Sequence, residues 1–124
     1  MEKYFFIGLG GCIGSISRYS LSGYMYRIFG DGFPYGTLDV NIVGCFIIGV
    51  LMSMFEERFV VQPNLRLFLT IGILGGFTTF SSFSFETVEL VKAGNFLSAG
   101  INASASVFGC FIATWIGSIL GKIL

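Results

Sequence analysis

The sequence predicts an all-α integral membrane protein of four transmembrane helices forming one domain, residues 1–124, and three observations carry that expectation. Apolar residues make up 54% of the 124 positions and charged residues 11%, whereas a soluble domain carries roughly 25% charged residues. Four apolar stretches, each close to the ~20 residues that a spanning helix needs, use up the chain with short connections between them. No stretch shows the two-residue alternation of a strand.

The first span covers residues 4–29, interrupted by Arg18 and Arg27, and is followed by the turn residues Gly30, Asp31, Gly32 and Pro34. The opening Met1-Glu2-Lys3 carries no signal-peptide cleavage pattern, and the run after it is too long for a signal's apolar region, so it is expected to stay as the first span. The second span covers residues 38–55. Thr37 offers a hydroxyl to cap its start, and Glu56, Glu57 and Arg58 close it. The third span covers residues 66–91, after Pro63 and Asn64. The turn Lys92-Ala93-Gly94-Asn95 leads to the fourth, residues 96–120, with Trp115 and Lys122 read as membrane-interface anchors.

Glycines recur four residues apart at Gly10 and Gly14, Gly72 and Gly76, and Gly117 and Gly121, a spacing that lets helices approach closely in lipid. The Gly8-Leu9-Gly10-Gly11 opening is not a dinucleotide loop, because that motif needs a preceding strand. A formal net charge of zero excludes the basic field that DNA or RNA binding requires. The chain has no histidine, which removes the commonest general base and transition-metal ligand and argues against an enzyme. Cys12, Cys45 and Cys110 have neither metal-site nor disulfide spacing and read as packing residues. Lys3, Arg58, Arg66 and Lys122 fall on one side of the membrane and Arg27 and Lys92 on the other. So weak a bias permits both orientations.

The third span carries the chemistry. Thr78, Thr79, Ser81, Ser82, Ser84 and Thr87 place six hydroxyls in ten residues, with Phe80 and Phe83 three apart on one helix face. A single serine or threonine commonly bonds back to the carbonyl four residues earlier. So dense a run at membrane depth points to a polar pathway. Gly75 and Gly76, directly before it, favour a break near the middle of the helix, which would expose carbonyls to a hard cation such as sodium.

Three segments together, Gly10-Gly11-Cys12-Ile13-Gly14 leading to Arg18-Tyr19, Gly36-Thr37-Leu38-Asp39-Val40-Asn41-Ile42-Val43-Gly44, and Gly75-Gly76-Phe77-Thr78-Thr79-Phe80-Ser81-Ser82-Phe83-Ser84-Phe85-Glu86, resemble the Fluc family of bacterial fluoride channels. The match covers the first three spans, while the fourth matches mainly in size and polarity. The resemblance implies an antiparallel, dual-topology homodimer in the bacterial inner membrane, with fluoride pores and a structural sodium ion at the dimer interface. It implies that Phe80 and Phe83 offer ring edges to fluoride, that Asn41 offers an amide donor, that the Gly75 and Thr78 carbonyls hold sodium, and that Arg18 lies near an aqueous vestibule. It also implies passive fluoride exit, without nucleotide or coupled proton.

The chemistry of these residues agrees with that assignment. A phenyl ring has a positive edge, so rings turned edge-on make a weak anion site, and a conducted ion must be held loosely enough to leave. Thr79, Ser81, Ser82, Ser84 and Ser106 supply candidate donors along the path. Glu86, three residues past Phe83, has three readings: a carboxyl kept protonated by desolvation, an acceptor that orients the hydroxyl row, or an interfacial charge at the aqueous end; the structural role beside the pathway is preferred. Asp39 departs from the family pattern, which has an uncharged residue there; in the first turn after Thr37 it would suit a helix N-terminus and point away from Asn41. Asn102, four residues before Ser106, is expected to bond between helices. Two rival functions fit four spans. A small proton-coupled multidrug transporter needs an acid in span one, where this chain has Arg18 and no carboxylate. A non-transporting assembly subunit would use the polar third span to bind a partner helix.

Overall fold

Gly30 and Gly94 take φ of 83° and 80°, the left-handed backbone that ends a helix sharply, and they mark two of the connections between the rods. The computed structural model describes residues 1–57 and 60–124. Helix α1 is Glu2–Phe29 and α2 is Tyr35–Glu57. The third rod, Pro63–Lys92, is composite: α3 (Pro63–Leu67), a π-helical stretch (Phe68–Leu74), a last turn α4 (Gly75–Phe77), two extended residues, and α5 (Phe80–Lys92). Helix α6 is Phe96–Ile123. The architecture is all-helical, and the described residues contain no strand.

The second, third and fourth rods are long and apolar enough to cross a membrane. Helix α1, at 28 residues, matches them in length but is less apolar, rich in glycine and serine and carrying Arg18. Arg58, expected at the end of the second span, lies outside the described residues.

The rods form two parallel pairs, antiparallel to each other. In the first pair α1 lies against the third rod, where a Cβ added to Gly10 would sit 2.5 Å from Phe68 O, and one added to Gly14 would sit 2.0 Å from Ile73 O. Gly76 meets α1 in the same way, 2.7 Å from Gly11 O. In the second pair Gly117 and Gly121 of α6 pack on the Phe46 and Val50 carbonyls of α2. The four-residue glycine spacings are therefore the seams of the bundle, where backbone rests on backbone and dispersion replaces the hydrophobic effect.

The interior is correspondingly small. Among the described residues Val40, Leu74, Phe77, Ala99 and Ala113 are the buried apolar ones, while rings such as Phe5, Phe85, Phe108, Phe111 and Trp115 face outward. That inversion of a soluble core is what a lipid solvent permits.

Two expectations for α2 need correction. The helix starts at Tyr35, just after Pro34, so Thr37 lies within the first turn and its hydroxyl donates to Glu86 Oε1 instead of capping the helix. Asp39 consequently falls beyond the first turn, which contains no acid.

Candidate functional site

The break in the third rod organises the site. Gly75 and Gly76 remain helical, contrary to the expectation that they unwind; Gly76 is held against α1, and the helix gives way at the next two residues. Thr78 (φ −86°, ψ 156°) and Thr79 (φ −152°, ψ 118°) are extended. Thr79 then caps α5, its hydroxyl accepting from the Ser82 N–H at 3.2 Å.

A helix that stops leaves its last carbonyls without amide partners, and side chains from other helices meet this one. The Thr79 N–H, which would have closed a helical bond to Gly75 O, donates to Asn41 Oδ1 at 2.8 Å, and Asn41 Nδ2 donates to Thr79 O at 2.9 Å. The Ser82 N–H, which would have reached Thr78 O, is given to the Thr79 hydroxyl. Arg18 Nε donates to Gly76 O at 3.1 Å. One amide and one guanidinium therefore pin the break from both neighbouring helices, and the Gly75 and Thr78 carbonyls are left with their helical donors diverted. Gly44 completes the fit: a Cβ there would lie 2.2 Å from Thr78 Cγ2.

Asn41, Thr79, Phe80, Phe83 and Ser106 meet around one cavity of about 440 Å³, together with Gly75 and Thr78. The two rings stand 5.3 Å apart at 59°. Phe80 is 77% exposed in the single chain. Ser106 is buried, and its hydroxyl has no partner. An unpaired buried donor on a cavity wall is costly unless something in the cavity accepts from it.

Other expected pathway residues lie elsewhere. Ser81, Ser82 and Glu86 line a separate opening with Phe85, and Ser84 lines neither. Ser81 and Ser82 bond to the Thr79 hydroxyl, both at 3.2 Å. Thr78 and Thr87 bond back to Leu74 O and Phe83 O, so for them the local alternative prevails over a line of free donors. Glu86 accepts from Tyr26 Oη at 2.8 Å and from Thr37, so it ties α5 to α1 and α2 and does not orient the hydroxyls of its own helix. Asn102 donates to Thr87 Oγ1 at 2.8 Å, joining α6 to α5 as expected of an interhelical bond. Arg18, expected at a vestibule, spends one donor on the break.

Sequence reasoning did not anticipate the Asn41–Thr79 pairing, the Tyr26–Glu86–Thr37 link, or Cys45 and Cys110 sharing the cavity. Asn41 and Thr79 were both singled out; what joins them is the antiparallel crossing of α2 and the third rod, which spacing along one helix does not encode.

Residues 5–118 match the family described as CrcB-like protein, Camphor Resistance (CrcB). The chain is 49% identical, over the full 124 residues of both, to the fluoride-specific ion channel FluC of Geotalea uraniireducens (strain Rf4). It is 47% identical over 124 residues to that of Citrifermentans bemidjiense, again the whole of both chains. To that of Opitutus terrae it is 46% identical over 121 residues, covering 96% of this chain and 92% of the relative.

Proposed function

The chain belongs to the CrcB-like protein family, and from that membership we propose that it is a fluoride-selective ion channel, which lets cytoplasmic fluoride leave the cell passively and so protects against fluoride toxicity. It is not an enzyme; its relatives are named as ion channels. The observation that carries the reading is the cavity lined by the Phe80 and Phe83 rings and by Ser106 with its unpaired hydroxyl, beside the extended Thr78-Thr79 backbone. Ring edges and a hydroxyl are neutral donors. They replace part of the hydration of a small anion without holding it as a full charge would.

The channel works as an antiparallel, dual-topology homodimer in the bacterial inner membrane. The exposure of Phe80 and the openness of the cavity in a single chain support a second copy closing it. Asn41 and Thr79 shape the wall. Ser81, Ser82, Ser84 and Glu86 flank the route outside the ring pair, and Arg18 lies toward the vestibule while it steadies the break.

Sodium fits the interface on the donor chemistry. Gly75 O and Thr78 O are carbonyls whose usual amide donors bond elsewhere, to Asn41 and to Thr79, and hard cations take such oxygens. Those two carbonyls would hold the ion, which supplies charge and cross-linking at the interface, while the residues around it do the conducting. Replacing sodium by a large organic cation should lower fluoride flux or the thermal stability of the dimer; indifference of both to that exchange would remove the cation site.

The deciding experiment is fluoride efflux from liposomes containing the purified protein, read by a fluoride electrode beside a matched chloride measurement. Fast fluoride loss with negligible chloride loss is expected. Absence of fluoride loss from folded dimer would overturn the channel reading.

A further inference from the structure

Cys45 on α2 and Cys110 on α6 were read as unrelated packing residues, yet the two helices run parallel and in register at just these positions. One turn beyond Cys45, a Cβ added to Gly49 would sit 2.3 Å from the carbonyl of Thr114, itself one turn beyond Cys110. On the other side, a Cβ on Gly109, next to Cys110, would lie 3.2 Å from Ile42 Cδ1. Between these two close approaches the register sets Cys45 and Cys110 at the same level of the two helices. Both are free and half-buried, and both line the cavity that holds Phe80, Phe83 and Ser106. The third cysteine, Cys12, is exposed on α1 and is not part of that cavity.

Resting on the channel reading for its effect on flux, we propose that Cys45 and Cys110 together form a two-sulfur site for a soft, thiophilic cation of the mercury(II), silver(I) or copper(I) class, and that its occupation stops fluoride passage. Soft sulfur ligands select such ions, and two sulfurs on neighbouring helices supply the two ligands that a two-coordinate ion of this class takes. Zinc is disfavoured, because a structural zinc site needs four ligands and the described residues bring no three of His, Cys, Asp and Glu together. The reaction with mercuric chloride balances without any change of oxidation state. Two S–H bonds and two Hg–Cl bonds break, two Hg–S bonds form, and two protons and two chloride ions leave. Mercuric chloride is a neutral molecule, so it reaches a site at membrane depth. A metal there occupies the cavity that the ring pair and Ser106 line.

The test uses the purified dimer carrying Cys12→Ser, with mercuric chloride as the probe and two readouts. The first is metal bound per chain, followed by the ultraviolet mercury–thiolate absorption and by protection of the thiols from maleimide. One mercury per chain is expected, with both thiols protected together. Cys45→Ala or Cys110→Ala, each in that background, should weaken binding by about 100-fold or more, the usual gain from two linked contacts. Equal binding in the single variants and their parent, or protection of one thiol without the other, would overturn the site. The second readout is fluoride efflux from liposomes. Mercuric chloride should cut it at least tenfold in the Cys12→Ser protein, and should leave the efflux of Cys12→Ser/Cys45→Ala/Cys110→Ala protein as it was before the addition. Undiminished efflux from the metal-loaded parent would overturn the proposed block. If the untreated protein passes no fluoride, it is the channel reading that fails, and metal binding still decides the thiol site.

Discussion

Phe80→Ile and Phe83→Ile each reduce fluoride efflux from liposomes about tenfold or more, while the protein's elution volume in size exclusion stays that of the parent. The expectation follows from what isoleucine keeps and what it loses. It retains apolar bulk on the wall of the cavity that both rings line, so helix packing has little reason to change. It removes the positive ring edge, an electrostatic contribution of about 0.5–1.5 kcal/mol in aromatic contacts, and ~1.4 kcal/mol off a barrier is about a tenfold change in rate. The rings stand 5.3 Å apart at a tilt, so replacing either one also unseats its neighbour. Efflux at the parent rate in both variants would show that the ring edges do not contact the ion.

Asn41→Leu is expected to do its damage by a different route, through the backbone. Leucine has the branched shape of asparagine but can serve neither the Thr79 N–H nor the Thr79 carbonyl, which are now bonded to Asn41 at 2.8 and 2.9 Å. An unsatisfied buried polar group costs about 1–3 kcal/mol, and this substitution leaves two part-buried ones on the cavity wall. The result should be a lower melting temperature in detergent and loss of fluoride efflux together. Asn41→Asp preserves the acceptor for the Thr79 N–H and loses only the donor, so its stability should fall between the other two proteins. A melting temperature for Asn41→Leu equal to that of the parent would mean the pairing does not hold the break.

The four rods were legible because span length and composition are local properties, and their limits came within a few residues. The largest differences are three residues: the second helix begins at Tyr35 against an expected 38, the third rod at Pro63 against 66, and the last helix ends at Ile123 against 120. Gly10, Gly14, Gly72 and Gly76 were legible as contact points for the same reason, since a four-residue spacing defines a helix face. The site was legible as a set of residues and not as a set of bonds. Thr78 and Thr87 looked like members of a donor row, but each finds a carbonyl one turn back. Glu86 was expected to serve the hydroxyls of its own helix, and is instead engaged by Tyr26 and Thr37 from two other helices. The break was expected at Gly75 and Gly76 on backbone propensity. Packing of Gly76 against Gly11 keeps that turn helical, and the chain opens where Asn41 offers Thr79 another partner. For the two threonines a local partner won; for Glu86 and for the break, a contact distant in sequence outcompeted a local preference.

The smallness of the buried interior reverses the usual hierarchy of harmful substitutions. In a water-soluble domain, trimming a large core side chain leaves a void, and cavity formation dominates the severe losses. Here the buried apolar set is Val40, Leu74, Phe77, Ala99 and Ala113, so there is little bulk to trim. The sensitive positions are the ones already at minimum size, such as Gly14, Gly49 and Gly117, where even one methyl group would collide with the backbone of a neighbouring helix. Drift in such a bundle is therefore one-sided: its lipid-facing rings are free to exchange for other apolar residues, while its seams are closed to growth.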